Sequence, residues 1–438
     1  MRDVNEVRGN ECTLRAFVSD YVRHGEAERL AARARAAVDA AVRGPAAWRE
    51  AAPPPTPTHT AHRIIYSCCW TAWIGVERAA GGVRAAGVCG GADAARALLD
   101  ALGAFAAAAR AAHHQLTPQP RARAARWLAD DDIARFLQAL PNWRVATAPT
   151  PIPAASAADL RHAYEREADI LGSSLGDGAI ASHEIVATAH TLRDLALMCE
   201  SMDWVASRVR DMATRFGRAS GAGLAFRLPD KLLDDIESTA LIFEEISHKC
   251  LLLLHLELRV RNCFYYLGQE EGAATAGAED NGGMEEGGTG DAAAVGEALA
   301  RALLTFHELA APVLAPHRLA YVMEGLAEMM SAGVIWRCVS GGGGTGASTA
   351  RLAALRHCLA ALGVSSQGLH RAAHYLQLLE CSPEEVIGGV EERGAQFSEL
   401  EYLHALRVTA ARRHLGDLEI RAAQRRLAAA LGHTGVTV

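Results

Sequence analysis

Several kinds of sequence feature are scarce in this chain, and each scarcity excludes a class of protein. Aromatic residues make up only 5% of the 438 residues, and lysine occurs only at Lys231 and Lys249. No two cysteines have the C-x-x-C spacing of a zinc or redox site. The first residues, MRDVNEVRGN, lack the apolar run of a secretory signal. The sequence therefore predicts a reduced, cytoplasmic protein.

A basic excess is also lacking. The formal net charge is −7, and the segment from Gln269 to Asp291 contains seven acidic residues and no basic residue. The rest of the chain is formally neutral, although nearly all of its positive charge is arginine. Nucleic-acid-binding domains usually have a clear positive excess. No nucleic-acid partner is therefore predicted, and the arginines are attributed to compositional bias.

Long apolar runs without charges are absent as well. The most apolar stretch is CLLLLHLELRVRNCFYYL, from Cys250 to Leu267, and it contains Glu257, Arg259 and Arg261 near its centre. Each such charge costs roughly 2.5–3.5 kcal/mol at the centre of a bilayer. No transmembrane segment is therefore predicted, and any membrane association would be indirect.

The same stretch fits a central helix of a bundle. The part HLELRVR alternates as a strand does, but the leucine content and the absence of turn residues favour a helix. On a helix, His255, Arg259 and Asn262 form one narrow polar stripe, and Glu257 and Arg261 form another on the opposite side. The two apolar strips between them predict packed neighbours on both sides; they comprise Leu252, Leu253, Leu256, Val260, Cys263 and Phe264 on one side and Leu251, Leu254, Leu258 and Tyr265 on the other.

Most of the remaining chain has helical periodicity, so the predicted fold class is all-α. Ser382 begins a strong helix-start signal, with proline next to it and Glu385 completing a capping box. The segment HRIIYSCCWTAW, from His62 to Trp73, could also suit a strand because of its β-branched and aromatic content. Helical candidates are predicted over Thr13 to Arg43, Ala92 to His114, Arg121 to Leu140 and Ala181 to Phe216.

Proline- and glycine-rich interruptions divide the chain into three predicted helical bundles. The predicted organisation is an N-terminal bundle over 1–146 with a Pro-rich linker at 44–58, a linker at 147–159, a middle bundle over 160–267, an acidic, Gly-rich disordered insert at 268–291, and a C-terminal bundle with a short free tail over 292–438.

Three motifs resemble catalytic ones, but each lacks an essential part. GGGGTGAS, from Gly341 to Ser348, has Ala347 where a phosphate-binding loop has its lysine. GSSLG, centred on Ser174, follows a helical pattern, whereas a nucleophile elbow follows a strand. FHELAAP has Ala311 where a zinc-protease motif has its second histidine. No catalytic residue and no metal ligand is therefore predicted.

Several segments together resemble the exocyst complex component 4 family, whose members are subunits of the vesicle-tethering exocyst. The most distinctive is CLLLLHLELRVRNCFYYL. The resemblance extends from about Trp127 to Leu406, with weaker similarity before Trp127. The other matching segments, in chain order, are WLADDDIARFLQALPNW, YEREADILGSSLGD, LALMCESMDWVASRV, YVMEGLAEMMSAGVI and SELEYLHAL.

This resemblance implies an elongated rod of consecutive helical bundles, as in other multisubunit tethers. It implies a non-enzymatic subunit without a cofactor, which, together with other exocyst subunits, holds secretory vesicles at the plasma membrane before SNARE-mediated fusion. The family's chain is much longer, so this one corresponds to its C-terminal part without the N-terminal coiled-coil region. The acidic insert is also larger than the family pattern suggests. The alternative is a helical-repeat adaptor unrelated to exocytosis.

The C-terminus fits one further type of partner. Val436, Thr437 and Val438 have the hydrophobic-x-hydrophobic pattern of a chain end that adds as a strand to a PDZ-type groove. Family tails often end in Thr-x-Val, whereas here a valine stands two residues before the last. A PDZ-domain partner is therefore a hypothesis, and a free tail without a partner is the alternative.

Overall fold

The predicted all-α class is confirmed by a computed structural model of the chain. The structure describes residues 16–17, 20–21, 25–53, 63–117, 122–148, 156–174, 180–186, 189–217, 227–267, 288–339 and 345–433. Among these residues, the only strands are β1, Ala51–Ala52, and β2, Ile65–Tyr66, which pair antiparallel.

The helices are numbered here in chain order. Those of the first part are α1 Ala27–Val42, α2 Ser67–Leu116, α3 Arg123–Ala129, α4 Asp131–Ala139, α5 Pro141–Thr147, α6 Ala157–Ser173, α7 Ala189–Gly217 and α8 Asp230–Leu267. Those of the second part are α9 Gly288–Ala310, α10 Pro316–Met323, α11 Leu326–Val339, α12 Thr345–Ala361, α13 His370–Leu378, α14 Pro383–Arg393, α15 Glu399–Arg412 and α16 Asp417–His433. Short 3₁₀ turns occur at Ser182–Glu184 and Gln367–Leu369.

The boundaries of several elements follow from local side-chain chemistry. At the start of α14, the Ser382 Oγ accepts a hydrogen bond from the Glu385 amide, and the Glu385 carboxylate accepts one from the Ser382 amide. The predicted capping box is therefore confirmed. Asp130 accepts bonds from the two amides that follow Asp131. It caps α4, and for this reason the predicted helix Arg121 to Leu140 is divided in two.

The ambiguous segment from His62 to Trp73 contains both kinds of structure. Ile65 and Tyr66 are in β2, and α2 begins at Ser67. The partner strand β1 lies within the predicted linker 44–58. This linker is anchored because the Trp48 ring makes an edge contact with the Tyr66 ring, with centroids 5.7 Å apart, and the Trp48 Nε1 donates to the Val42 carbonyl.

The helices pack in series, which confirms the predicted rod of consecutive bundles. α1 packs on α2, and α2 packs on the long pair formed by α7 and α8. α9 packs on α7, α8 and α12, while α11 contacts α6, α8 and α13. At the far end, α14, α15 and α16 pack on one another, and α15 also contacts α11. The three predicted bundle ranges themselves remain predictions.

α8 is the central helix that its sequence predicts. It is 38 residues long and contacts α2, α3, α7, α9, α10 and α11. The apolar residues of both predicted strips are buried from Leu251 to Cys263. Phe264 and Tyr265 belong to the residues whose side chains are not described. In the described part of the chain, no helix combines the length and hydropathy that a bilayer crossing requires.

Some of the predicted interruptions lie partly outside the described residues. The described chain resumes after the acidic segment at α9, which begins at Gly288, so residues 288–291 of the predicted insert are helical. The glycine run at 340–344 also lies outside them, and α12 begins directly after it at Thr345.

Candidate functional site

The polar stripe on α8 meets a break between two helices. α10 ends at Met323 and α11 begins at Leu326, with Gly325 at a φ of +77° between them. A side chain at Gly325 would lie 2.9 Å from the Tyr164 ring and 3.2 Å from the Arg259 guanidinium. The last carbonyls of a helix have no partner within the helix, so this buried break needs donors from elsewhere.

Arg259 supplies those donors. Its Nη1 donates to the Val322 carbonyl at 2.5 Å, and its Nη2 donates to the Glu324 carbonyl. Its Nε donates to the Glu167 carboxylate on α6 at 2.9 Å. Arg259 is completely buried. The guanidinium therefore joins α6, α8 and the α10–α11 break through three hydrogen bonds of the charge-assisted kind.

His255 lies one turn before Arg259 on the same face. Its Nε2 is 2.6 Å from the Glu167 carboxylate, and its Nδ1 is 3.2 Å from the Tyr321 carbonyl. Its ring stacks on that of Tyr321, with centroids 4.4 Å apart. Burial and the positive charge of Arg259 lower the pKa of His255, and the Glu167 carboxylate only partly opposes them.

Glu167 is the negative centre of this cluster. Burial alone would raise its pKa, but Arg259 and His255 outweigh burial and lower the pKa to about 2. Nearby, the Tyr164 hydroxyl donates to the Glu324 carboxylate at 2.6 Å. We call Tyr164, Glu167, His255, Arg259 and Glu324 the central joint, because they connect α6, α8 and the α10–α11 break.

A second charged cluster lies along α7. Glu200 and Asp203 of α7 face Arg63, which precedes β2, and Arg318 of α10. Each arginine pairs with both carboxylates. The distance from a Glu200 carboxylate oxygen to the nearest guanidinium nitrogen is 2.8 Å for Arg63 and 3.1 Å for Arg318. The Arg318 Nε also donates to the Ala146 carbonyl of α5. We call these four charged residues the ion ring.

The ion ring is electrically balanced and largely buried. The Glu200 side chain is 0% exposed and that of Arg318 is 5% exposed. Burial would raise the pKa of Asp203, but Arg318 and Arg63 lower it to about 2. Burial would likewise lower the pKa of Arg318, yet Glu200 and Asp203 raise it. Asp203 and Arg318 therefore remain ionised at neutral pH. The ion ring fixes α7 against α5, α10 and the start of β2.

The second polar stripe of α8 holds the segment that precedes α7. The Val186 amide donates to the Glu257 carboxylate at 2.9 Å, and Arg261 donates to the same oxygen at 3.0 Å and to the Val186 carbonyl at 2.5 Å. The predicted pairing of Glu257 with Arg261 is thus confirmed. Burial raises the pKa of Glu257 to about 7, although Arg261 and the Val186 amide oppose it.

These arrangements are suited to holding helices together. A general acid or base must come within hydrogen-bond reach of a substrate proton. The side chains of His255 and Glu167 are 0% and 3% exposed, so a substrate could not reach them without separating packed helices. The hydrogen bonds described above run to the backbone or side chains of neighbouring elements. The geometry therefore fixes the orientation of these helices relative to one another.

The structure also places the motifs that resemble catalytic ones. Ser174 follows the last residue of α6, and its hydroxyl donates to the Leu171 carbonyl at 2.8 Å. Because a helix and not a strand precedes it, the nucleophile-elbow geometry is missing. Val436, Thr437 and Val438 lie outside the described residues.

Most members of the two clusters have no local signal in the sequence. Helical periodicity places His255 and Arg259 on one stripe of α8 but indicates no partner for them, because Glu167 lies 88 residues away from His255. No local sequence pattern indicates that the members of the ion ring lie together; these are Arg63, Glu200, Asp203 and Arg318. Their charges stand among many surface charges, and only the tertiary fold brings them together.

Comparison with known proteins confirms the resemblance found in the sequence. The chain is similar to exocyst complex component 4 of Drosophila melanogaster, with 29% identity over 315 residues, which cover 65% of this chain and 31% of that protein. It is 28% identical to the Homo sapiens protein of the same name over 306 residues, covering 64% and 30%. The Caenorhabditis elegans protein is 29% identical over 313 residues, covering 65% and 33%. No family profile matches the chain.

The matches cover a different share of this chain than of its relatives. About two thirds of this chain aligns, but the chain spans only about a third of the length of the curated relatives that it matches. The similarity therefore concerns one region of each of these longer relatives.

Proposed function

We propose that this chain is a non-enzymatic subunit of the exocyst complex that tethers secretory vesicles to the plasma membrane before SNARE-mediated fusion. The single observation that supports this most strongly is the similarity to exocyst complex component 4 over 315 residues. In this proposal the other exocyst subunits are the partners, and the chain contacts them through helical surfaces. It needs no cofactor.

The physical properties of the fold are consistent with mechanical linkage. A tether must transmit force between its ends, so its bundles must not rotate freely about one another. The central joint and the ion ring connect α5, α6, α7, α8 and α10 through buried, charge-assisted hydrogen bonds. Such bonds are strong and directional, which favours one relative orientation of the helices.

A pull-down of the tagged chain from a cell lysate tests the proposal. We expect the other exocyst subunits to be enriched over an unrelated helical protein that carries the same tag, as identified by mass spectrometry. A helical-repeat adaptor unrelated to exocytosis remains the alternative. Reproducible recovery of a different set of proteins, with exocyst subunits at background, would contradict the tethering proposal and favour the adaptor.

The proposed location is the cytoplasm, with peripheral recruitment to sites of secretion at the plasma membrane. Recruitment in this proposal is indirect, through the other subunits of the complex. A fluorescent fusion should concentrate at secretion sites and lose that pattern when another exocyst subunit is depleted. Persistence of the pattern after depletion would contradict indirect recruitment.

The C-terminal residues Val436, Thr437 and Val438 are proposed to bind a PDZ-domain protein. Such binding requires a free terminal carboxylate. A peptide of the last ten residues should therefore bind PDZ domains in a panel, and the same peptide with an amidated end should not. Equal binding by the two peptides, or binding by neither, would remove this partner from the proposal.

A further inference from the structure

A small cavity lies beside the central joint, between α5, α6 and α10. Its volume is about 80 Å³. A water molecule takes up about 30 Å³ in the liquid, so the cavity has room for about two or three groups of that size. It is far smaller than the pockets of about 300–1,000 Å³ that hold larger ligands. A ligand could therefore place only a small end group here.

Two deeply buried polar side chains line this cavity and have atoms without a hydrogen-bond partner. Asn142 is 5% exposed and Tyr321 is 1% exposed. Among the described residues, neither the Asn142 Oδ1 nor the Tyr321 hydroxyl makes a hydrogen bond. The Asn142 Nδ2 donates to the Tyr164 hydroxyl at 3.4 Å, which orients the amide and leaves its oxygen unpaired. Because buried polar atoms are nearly always paired, these two atoms indicate a polar ligand.

A carboxylate at the same cavity sets the sign of the ligand's charge. Glu324 lines the cavity, and its carboxylate accepts from the Tyr164 hydroxyl at 2.6 Å. Within the described part of the chain, Glu324 forms no salt bridge. The permanent cation of the central joint, Arg259, pairs with Glu167 instead, and burial lowers the pKa of His255. The negative charge of Glu324 therefore favours a cationic group in the cavity.

The outer part of the cavity is mainly apolar. Val145 and Leu160 are half-buried and Ala320 is exposed, so these three lie nearer to the solvent than the two buried polar side chains. Burial lowers the pKa of His317, the remaining lining residue, so this histidine adds no positive charge at neutral pH. A ligand that enters from the solvent would pass apolar side chains before it reaches the oxygen atoms.

This arrangement matches a primary ammonium group at the end of an alkyl chain. An ammonium group has three N–H donors and no acceptor, and Asn142, Tyr321 and Glu324 each offer an oxygen that can accept. The apolar rim suits the methylene groups behind the ammonium. A calcium or magnesium ion needs more oxygen ligands than one carboxylate supplies. Across the described ranges, no three histidine, cysteine, aspartate or glutamate side chains are placed to hold a metal ion.

We propose that this cavity binds a primary ammonium group on an unbranched alkyl chain, as at the end of a lysine side chain of a partner protein. The Asn142 Oδ1, the Tyr321 hydroxyl and the Glu324 carboxylate accept its hydrogen bonds. The proposal does not depend on membership of the exocyst. Its failure and the failure of the tethering function are therefore separate results.

The test measures binding of three small probes to the full chain by saturation-transfer NMR. The probes are n-butylammonium, n-butanol, which has a neutral end on the same chain, and tetramethylammonium, which has the charge without N–H donors. We expect n-butylammonium to bind at least about tenfold more tightly than either of the others, because hydrogen bonds from a charged donor are the strong ones.

A fourth probe, lysine blocked at its backbone amine and carboxylate, identifies the source of the ammonium group. Binding of this probe together with n-butylammonium supports a lysine side chain of a partner protein. Binding of n-butylammonium alone supports a free alkyl amine in the same site, because the cavity then has no access for a side chain attached to a peptide backbone.

Three variants of the chain locate the binding site. Tyr321→Phe keeps the ring that stacks on His255 and removes only the hydroxyl, which has no partner among the described residues. It should keep its thermal unfolding midpoint and bind n-butylammonium at least about threefold more weakly. Glu324→Gln should weaken binding by roughly tenfold or more, and Glu392→Gln, at an exposed carboxylate of α14, by less than about twofold.

Four results would overturn the proposal. These are equal binding of n-butylammonium and n-butanol, unchanged binding in Tyr321→Phe, equal weakening by the two glutamate variants, and failure of n-butylammonium to bind the unmodified chain. Equal weakening would indicate attraction to the overall negative charge of the chain, and failure to bind would mean that the cavity holds only water. Circular dichroism of the variants establishes that they are folded.

Discussion

At the scale of single residues, Arg259 is the side chain on which most of the central joint depends. It is completely buried and pairs with Glu167, whose side chain is only 3% exposed. Its guanidinium also satisfies the Val322 and Glu324 carbonyls. Removing one partner of a buried ion pair is far more costly than the net value of the pair, because the other charge remains in a medium of low dielectric.

Replacement of Arg259 by alanine should lower the free energy of unfolding by about 3–5 kcal/mol, because the Glu167 carboxylate loses its permanent cation. Urea unfolding followed by circular dichroism measures this change. Arg135→Ala is the matched control, since Arg135 is 74% exposed and its pair with Asp132 is on the surface. That control should cost less than about 1 kcal/mol.

The double variant R259A/E167Q separates charge from packing. If the cost arises from the uncompensated carboxylate, neutralising Glu167 should recover part of it, and the two changes should not be additive. Glutamine can still accept the hydrogen bond from His255. A double variant that is less stable than R259A by the full cost of E167Q alone would show that the buried charge is not the source.

Glu257 gives a prediction about pH that has the opposite sign to that for most carboxylates. Its folded pKa is raised from 4.5 to about 7, chiefly by burial. Between these values the folded state binds the proton more tightly than the unfolded state does. Its contribution to stability is therefore complete below about pH 4.5 and is lost as the pH rises through 7.

We compare the free energy of unfolding of Glu257→Gln with that of the unmodified chain at each pH. The difference should favour the variant by about 2–3 kcal/mol more at pH 8 than at pH 5. Unfolding free energies of the variant and the unmodified chain at the two pH values give this difference. Glu245→Gln is the control. Because Lys249 lowers the pKa of this exposed carboxylate, replacing Glu245 should not stabilise the protein at pH 8. No pH dependence in the Glu257 difference would contradict the burial argument.

At the scale of secondary-structure elements, the break between α10 and α11 sets the geometry of the joint. Gly325 adopts a positive φ of +77°. A Cβ atom at this position would lie 2.9 Å from the Tyr164 ring and 3.2 Å from the Arg259 guanidinium. Two effects therefore oppose a side chain at this position: the left-handed backbone and the crowding. Gly363 also has a positive φ, of +67°, but nothing lies within 4 Å of where its Cβ would be.

Gly325→Ala should therefore destabilise the chain by more than Gly363→Ala. The left-handed conformation alone costs a residue with a Cβ about 1–2 kcal/mol, which is what Gly363→Ala should lose. Gly325→Ala should lose this amount plus the cost of displacing the Tyr164 ring and the Arg259 guanidinium. Thermal unfolding of both variants tests the ranking, and equal losses would mean that the joint tolerates the extra atom.

The elements also show which parts of the structure were predictable from the sequence. The leucine strips of α8 predicted a helix packed on two sides, because the pattern of apolar residues is local. The capping box at Ser382 was predictable for the same reason. The division of the helix at Asp130 was missed, since an aspartate that follows a helical pattern can either continue the helix or cap a new one, and packing decides between them.

At the scale of the whole molecule, the connections to α7 and α8 are long-range. Arg259 of α8 lies 92 positions from Glu167 in the sequence, and Arg318 lies 118 positions from Glu200 of α7. Such pairings depend on the complete fold, so no pattern within a short window of sequence indicates them. For the same reason, they should make distant parts of the chain unfold together.

Hydrogen exchange of the folded chain gives the corresponding prediction. In the unmodified chain, exchange should be slowest in α8, which packs on six other helices, and faster in α16, which packs on α14 and α15. In R259A, protection should fall in α6, α8, α10 and α11 by similar free energies, because the joint connects all four. The amides of α16 should keep their rates, since no described contact of the joint reaches that helix. Loss of protection in α8 alone would contradict this prediction. It would mean that the central joint acts only locally and that apolar packing orients the helices.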